Sequence, residues 1–251
     1  AEGLQVTAYG DTDSLRISGK DKARFPIGKW KKLLLQQKGK SVQVRVTALM
    51  KGKWLEYPSF QWQVAAEAID GYLSDRLIEP GYEVWNNLQL CERSLEDFSE
   101  KVIADNKLTG GNCMNCHTYG KQSGRLSMFH LRGKNGGTIL NRDGKLRKLS
   151  LKNDSMISAA VYGDFHPSGR YAVFSSNIII PAFHAQGSKR LEVYDTESDL
   201  AIADLEQNRM ILSPLTRDKK VLETFPTFSA DGKHIYYCSA PQTTLPDIYI
   251  Y

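Results

Sequence analysis

The first sixty residues are dominated by alternating apolar and polar positions. The run VQVRVTALM (42–50) alternates as a half-buried strand does, and LQVTAY (4–9) and SLRIS (14–18) are shorter runs of the same kind. Between them, KWKKLLLQQ (29–37) predicts a helical turn or two. We therefore expect residues 1–62 to form a small antiparallel β-sandwich-like domain.

The apolar spacing becomes helical in residues 63–124. The segments VAAEAIDGYLSDRLI (64–78) and SLEDFSEKVIADN (94–106) repeat apolar residues at intervals of three and four. Ser94 with Asp97 resembles a helix capping box. The pattern predicts a helical middle segment that delivers the chain to Cys113.

Strand-like runs separated by turn residues return in residues 125–251. The stretch FHPSGRYAVFSS (165–176) is repeated without gaps by FSADGKHIYYCS (228–239), and each copy has a turn glycine followed by an alternating strand. A repeated hairpin with a fixed turn is how β-propeller blades appear in sequence. Blades of about 40–50 residues leave room for about three, and the strand-like DIYIY (247–251) ends the chain. The fold class is thus mainly β, with a helical middle segment and a partial β-propeller.

Composition and charge exclude several classes of protein. The chain is 41% hydrophobic and 24% charged, which excludes disorder and fibres. The net charge of +5 comes from interspersed residues of both signs, and no nucleic-acid-binding motif accompanies it. No apolar run approaches 18 residues, so no transmembrane segment is predicted.

The candidate chemistry is concentrated in CMNCHTYG (113–120). Cys-x-x-Cys-His is the attachment signature of c-type haem, with Cys113 and Cys116 as the thioether-forming residues and His117 as the axial ligand of the iron. Met128 and His130 are the candidates for the sixth ligand. They are two residues apart, so a strand would place both on one face.

Three other interpretations of the motif stay open. The two cysteines could form a redox dithiol or a disulfide, although a strand and a helix would be expected around such a pair. A zinc site would need a second Cys/His pair, and Cys91 and Cys238 stand far away in the sequence. The motif could also be a structural loop. We expect Cys91 and Cys238 themselves to be buried free thiols.

A longer resemblance surrounds the motif. The string CMNCHTYGKQSGRLSMFHLRGKNGGT (113–138) resembles a family of exported proteins from Bacteroidetes-type genomes. In that family Cys-Met-Asn-Cys-His precedes Met-x-Phe-His-x-Arg-Gly and Gly-Gly-Thr, and a Tol-type β-propeller follows. Residues 69–85, 198–204 and 223–233 are also similar. The resemblance implies export, to the periplasm or the outer cell surface, and no assigned reaction.

Two functions follow as expectations. The first is an exported c-type haem protein that transfers or senses electrons for a redox or envelope partner, with Tyr119 and Phe129 packed against the porphyrin. The second is a non-redox scaffold that binds a glycan, a peptide or an envelope partner, in which CMNCH is structural or a labile disulfide. Exposed tryptophans, among Trp30, Trp54, Trp62 and Trp85, would favour a glycan. Enzymatic activity is left open: a haem that reacts with peroxide is a third possibility, and no hydrolase, nucleotide or metalloprotease motif is present.

Overall fold

The structure is a computed structural model that describes residues 1–78, 87–97, 99–121, 123–185 and 191–242. The chain divides into two compact units, Ala1–Ser74 with Glu92–Lys101 and Asp75–Cys91 with Val102–Tyr251. The mainly β class is confirmed, because the described residues hold eighteen strands and a single α-helix.

The helix and the strands have the following bounds: β1 (Gly3–Tyr9), β2 (Ser14–Gly19), α1 (Ile27–Gln36), β3 (Ser41–Met50), β4 (Lys53–Glu56), β5 (Phe60–Gln63), β6 (Tyr72–Ile78), β7 (Leu88–Ser94), β8 (Glu100–Asp105), β9 (Met114–Gly120), β10 (Ser123–Leu131), β11 (Gly137–Arg142), β12 (Lys145–Leu149), β13 (Ala160–Phe165), β14 (Tyr171–Phe183), β15 (Leu191–Asp204), β16 (Arg209–Ile211), β17 (Val221–Phe228) and β18 (Ile235–Pro241).

The N-terminal region forms one antiparallel sheet with a helix against one face. The strand order is β2-β1-β3-β4, and β5 pairs with β3 beside β4. Alternate residues of β3, Val42 and Val44, pack with Ala8 and with Leu33 of α1 in the core. The helical turns predicted in residues 29–37 are confirmed, because residues 29–36 belong to α1. Helix α1 covers this face, and one sheet with a helix takes the place of the expected sandwich-like pair of sheets.

The predicted helical middle segment is wrong. Strands β6, β7 and β8 form a three-stranded sheet, and the polar residues taken for a helix cap close a turn between β7 and β8. Asp97 accepts hydrogen bonds from the backbone N–H and the hydroxyl of Ser99, and the N–H of Ser94 donates to the carbonyl of Ser99. Asp and Ser satisfy backbone groups in tight turns as readily as at helix ends, so the signal was ambiguous. Phe98, part of the expected apolar stripe, lies outside the described residues.

Three successive antiparallel sheets follow in the second unit. They contain β9 to β12, β13 to β16, and β17 with β18, each with its strands in chain order. The first two sheets share a core that contains Met128, Leu140, Phe174 and Ala203. Residues 247–251, which were expected to start a further strand, lie outside the described part of the chain.

Hydrogen bonds to equivalent turns join each of these sheets to the next. Gly169 and Gly232, the turn glycines of the repeat, both have φ of +73°, which confirms the expected need for glycine. The Arg142 guanidinium donates to the carbonyl of Gly169 at 2.7 Å. His166 Nε2 donates to the carbonyl of Gly232 at 3.2 Å, so each turn accepts a hydrogen bond from the sheet before it.

Membrane-spanning helices were not expected. In the part of the chain that the structure describes, no helix has the length and apolar character needed to cross a membrane.

Candidate functional site

The CMNCH motif lies on an edge strand. Cys113 immediately precedes β9, whose sheet has the order β12-β11-β10-β9, so that β9 pairs with β10 alone within it. On a helix, residues three apart share a side, whereas on a strand successive residues point to opposite faces. An extended backbone therefore does not bring Cys113 and Cys116 to one side by default.

A β-bulge interrupts β9 in the middle of the motif. Asn115 is opposite His130 and Thr118 is opposite Met128, so Cys116 and His117 together face one residue of β10. Cys116 has φ of +57°, a left-handed conformation that glycine adopts most easily. The Asn115 side-chain oxygen accepts a hydrogen bond from the Cys116 N–H at 2.6 Å, which supports the bulge.

The first strands of the next two sheets carry the same irregularity. In β13 the register shifts between Val161 and Asp164, and Tyr162 has φ of +51°. In β17 the register shifts between Thr224 and Thr227, and Phe225 has φ of +53°. The segments CHTY (116–119), YGDF (162–165) and FPTF (225–228) are therefore structural equivalents: each has a left-handed residue at its start and an aromatic residue three positions later.

This third copy of the repeat was missed by sequence reasoning. The aromatic residue that begins each recognised copy, Phe165 or Phe228, corresponds to Tyr119. After Tyr119 the glycine Gly124 comes one position later than Gly169 does after Phe165, so an ungapped comparison fails, and Gly124 lies in β10 rather than at a positive-φ turn position. The signal that could have found it was the string Ser-Gly-Arg, shared by residues 123–125 and 168–170.

The three bulges contact one another in sequence. The backbone N–H of Tyr162 lies close enough to the Cys116 sulfur to lower the pKa of its thiol. The rings of Tyr162 and Phe225 have centroids 4.9 Å apart, and these side chains are 38% and 52% exposed. Together Cys116, Tyr162 and Phe225 form a row, which we call the bulge row, that ends in two partly exposed aromatic rings.

Both cysteines of the motif are protonated thiols at neutral pH. Burial raises the pKa of Cys113 and of Cys116 above the ordinary value for cysteine. Arg132 and Arg76 are near enough to favour the thiolates, and they offset only part of this effect. A reactive redox thiol needs a lowered pKa, so the environment is that of structural cysteines. None of the four cysteines, all of which lie in the described residues, forms a disulfide.

The bulge separates His117 from the two candidates for the sixth haem ligand. Because Thr118 pairs with Met128, those two side chains share a face with His130. His117, one position earlier, lies on the other face with Tyr119, whose ring centroid is 6.0 Å from its own. The structure therefore brings Met128 and His130 together, as expected, and does not bring either of them to His117.

Met128 and His130 are both part of the packed interior. Met128 is 1% exposed within the core that contains Phe174. His130 is 4% exposed, its Nδ1 is 2.7 Å from the hydroxyl oxygen of Thr138, and burial lowers its pKa to about 3. His130 is thus a neutral core histidine, and its Nε2 has no hydrogen-bond partner among the described residues.

This arrangement does not fit a haem held between two protein ligands. Such a haem needs both thiols within reach of one porphyrin, and it needs His117 and a second ligand, Met128 or His130, able to reach the same iron. Here Cys113 packs with Phe129, Leu131 and the buried Met114, while Cys116 faces Tyr162 of the next sheet. Haem attachment at Cys113 and Cys116 stays a prediction from spacing, and it would require β9 to rearrange.

The alternative interpretation of the motif as a zinc site also lacks geometric support. Within the described residues, no three His, Cys, Asp or Glu side chains come close enough together to hold a metal ion. Cys91 is buried, as expected. Cys238 is exposed, so the expectation of a second buried thiol was wrong; it lies on β18, whose side chains are mostly exposed.

Comparison with known proteins does not assign the chain to a family. No protein-family model matches the chain, and no curated protein is significantly similar to it.

Proposed function

We propose that this protein is a binding scaffold, that the sheets from β9 to β18 are successive blades of a β-propeller, and that CMNCH is the innermost strand of the first of these blades. The observation that carries the proposal is the equivalence of the three bulged strands. Blades of four antiparallel strands in chain order are typical of propellers. Strands β9, β13 and β17 contact one another in that order, as first strands around a common axis would.

The bulge row supplies the binding surface in this proposal. Bulges re-aim side chains and occur often beside functional sites. Tyr162 and Phe225 are partly exposed at adjacent bulges, and Arg132 and Arg76 are close enough to act on the pKa of Tyr162. Aromatic rings beside cationic groups offer both an apolar surface and hydrogen-bond donors to a partner.

A glycan is the class of partner that the first unit favours. Trp54 and Trp62 are 55% and 45% exposed, and exposed indole rings are suited to stacking on the apolar faces of sugars. Trp30, a residue of α1, packs partly buried against the core, and Trp85 lies outside the described residues. The compartment that goes with this proposal, the periplasm or the outer cell surface, rests on the resemblance described above.

A second candidate is the exported c-type haem protein. The spacing Cys113, Cys116, His117 favours it, and the nearby Arg76 and Arg132 would suit the propionates of a haem. When bound, such a haem would supply one-electron chemistry. The chain itself would provide two thiols for attachment and the His117 imidazole as a ligand, with electron transfer or redox sensing as the result.

A pyridine haemochrome spectrum separates the two candidates. The protein is co-expressed with a c-type haem maturation system, beside the double variant Cys113→Ala, Cys116→Ala. We expect no thioether-type α-band in either protein, and four titratable thiols in the unfolded wild-type chain, because the motif is packed as a strand. An α-band that is present in the wild type and lost in the double variant would overturn the scaffold in favour of the haem protein.

A further inference from the structure

An apolar groove lies in the first unit. It is formed by α1, the segment after β5 and the turn after β7, and its volume is about 900 Å³. Pockets for small molecules are typically 300–1,000 Å³ and lined mainly by apolar groups. The apolar residues that line the groove include Phe25, Ile27, Trp30, Leu34, Ile69 and Leu95.

Helix α1 carries more apolar residues than the sheet can cover. With 100° per residue, Leu33 faces the sheet, where it is 3% exposed, and Ile27 and Leu34 lie on a different side of the helix. Leu35 and Ile69 are 74% and 77% exposed at the groove. Contiguous exposed apolar surface of this kind marks a binding site more often than an isolated exposed leucine does.

The rim of the groove is basic. Four basic residues line it, against Glu67 and Glu96. Lys31 is already paired with Glu96 at 2.8 Å, so the remaining charged residues of the lining are the cations Lys22, Arg24 and Lys38 and the carboxylate of Glu67. The ligand that complements this site has an apolar body and a negatively charged head.

We propose that this groove binds the acyl chain of an anionic amphiphile. The chain packs against Trp30, Leu34 and Ile69, and the head group binds at Lys22, Arg24 and Lys38. The amphiphile is a free fatty acid, because a groove of about 900 Å³ has the size of a small-molecule pocket. This inference does not depend on the function proposed for the bulge row, since the groove is built from residues of the first unit alone.

Calorimetric titration with laurate below its micellar concentration tests the groove. The variant Ile69→Glu places a charge in the apolar wall at an exposed position, and Leu146→Glu is the control, because Leu146 is 70% exposed in the second unit. We expect saturable binding of about one laurate per chain, at least about ten-fold weaker in Ile69→Glu and unchanged in Leu146→Glu, since an unpaired charge in apolar surroundings costs more than ten-fold in affinity. Dodecyltrimethylammonium should bind at least about ten-fold more weakly than laurate, because the rim is basic.

Two further measurements identify the source and the rival occupant. Laurate binding without flotation on phosphatidylglycerol vesicles is the expected result, whereas flotation that is lost in Ile69→Glu would overturn the free fatty acid in favour of a membrane lipid. Absence of binding to both, or equal laurate binding by wild type and Ile69→Glu, would overturn the proposal. A dimer in sedimentation velocity that Ile69→Glu dissociates, without laurate binding, would overturn it in favour of a second copy of the chain.

Discussion

Replacing Phe174 by alanine is expected to lower the free energy of unfolding of the second unit by about 3–5 kcal/mol, the range for removal of a buried phenylalanine from a core. Phe174 is fully buried between the first two sheets, where its neighbours include Met128, Gly163 and His130. The loss should be large because even a β-carbon added at Gly163 would clash with the Phe174 ring, so the surroundings fit this side chain closely.

Urea unfolding followed by circular dichroism measures the change, with Leu146→Ala as the control. Leu146 belongs to the same unit and is 70% exposed, so its truncation should change the free energy of unfolding by less than about 0.5 kcal/mol. A similar effect for the two variants would contradict the shared core described for these sheets.

His130 is expected to make the protein sensitive to acid well above the range in which carboxylates titrate. Its pKa is about 3 in the folded protein, because the ring is desolvated and Arg132 lies nearby, and the value in the unfolded chain is about 6.5. The unfolded chain therefore takes up a proton first as the pH falls. The contribution of His130 to the free energy of unfolding is fully present above pH 6.5. It decreases by about 1.4 kcal/mol per pH unit as the pH falls towards 3, to a total loss of about 5 kcal/mol.

The variant His130→Gln removes this titration and keeps a polar side chain beside Thr138. We expect it to be less stable than the wild type at pH 7.5, and to lose less stability between pH 6.5 and pH 4.5. The variant His166→Gln is the control, because His166 lies at a turn, where it is hydrogen-bonded to Ser168 and Gly232. Parallel pH profiles for wild type and His130→Gln would show that His130 is not buried as a neutral ring.

Much of the β architecture could be predicted from the sequence because alternation follows directly from strand geometry. The strand around Val42 has one buried face, so its apolar positions repeat every second residue. In β14 residues 172–177 are all buried, so the repeat and its turn glycine, rather than alternation, predicted that hairpin. The helical middle segment was mispredicted because its apolar residues are not buried along one face. Leu95 lies in a turn and Val102 in a strand, and both are about half exposed. A short stripe with a period near 3.6 does not distinguish a helix from a hairpin when neither face is fully buried.

The geometry of the candidate site depends on the bulge in β9, which the residue types do not predict. In a regular strand His117 would share a face with Asn115, and therefore with His130 across the pair. The inserted bulge residue moves His117 to the opposite face, which separates it from the ligands that the sequence suggested. Cysteine has no preference for the left-handed conformation, so nothing in the string CMNCH predicts that Cys116 adopts it.

Cys116 occupies the left-handed bulge position of β9. Comparing Cys116→Gly with Cys116→Ala by urea unfolding tests this most directly, because both variants remove the thiol and differ in backbone preference. At a left-handed position glycine avoids a strain of about 1–2 kcal/mol, whereas in an ordinary strand it is less stable than alanine by about 0.5–1 kcal/mol.

The matched control is the pair Cys91→Gly and Cys91→Ala, since Cys91 is buried in β7 without a positive φ. The structure predicts that glycine is the more stable replacement at Cys116, by about 1 kcal/mol, and the less stable one at Cys91. If alanine were the more stable replacement at both positions, β9 would be a regular strand, and the equivalence on which the scaffold rests would be contradicted.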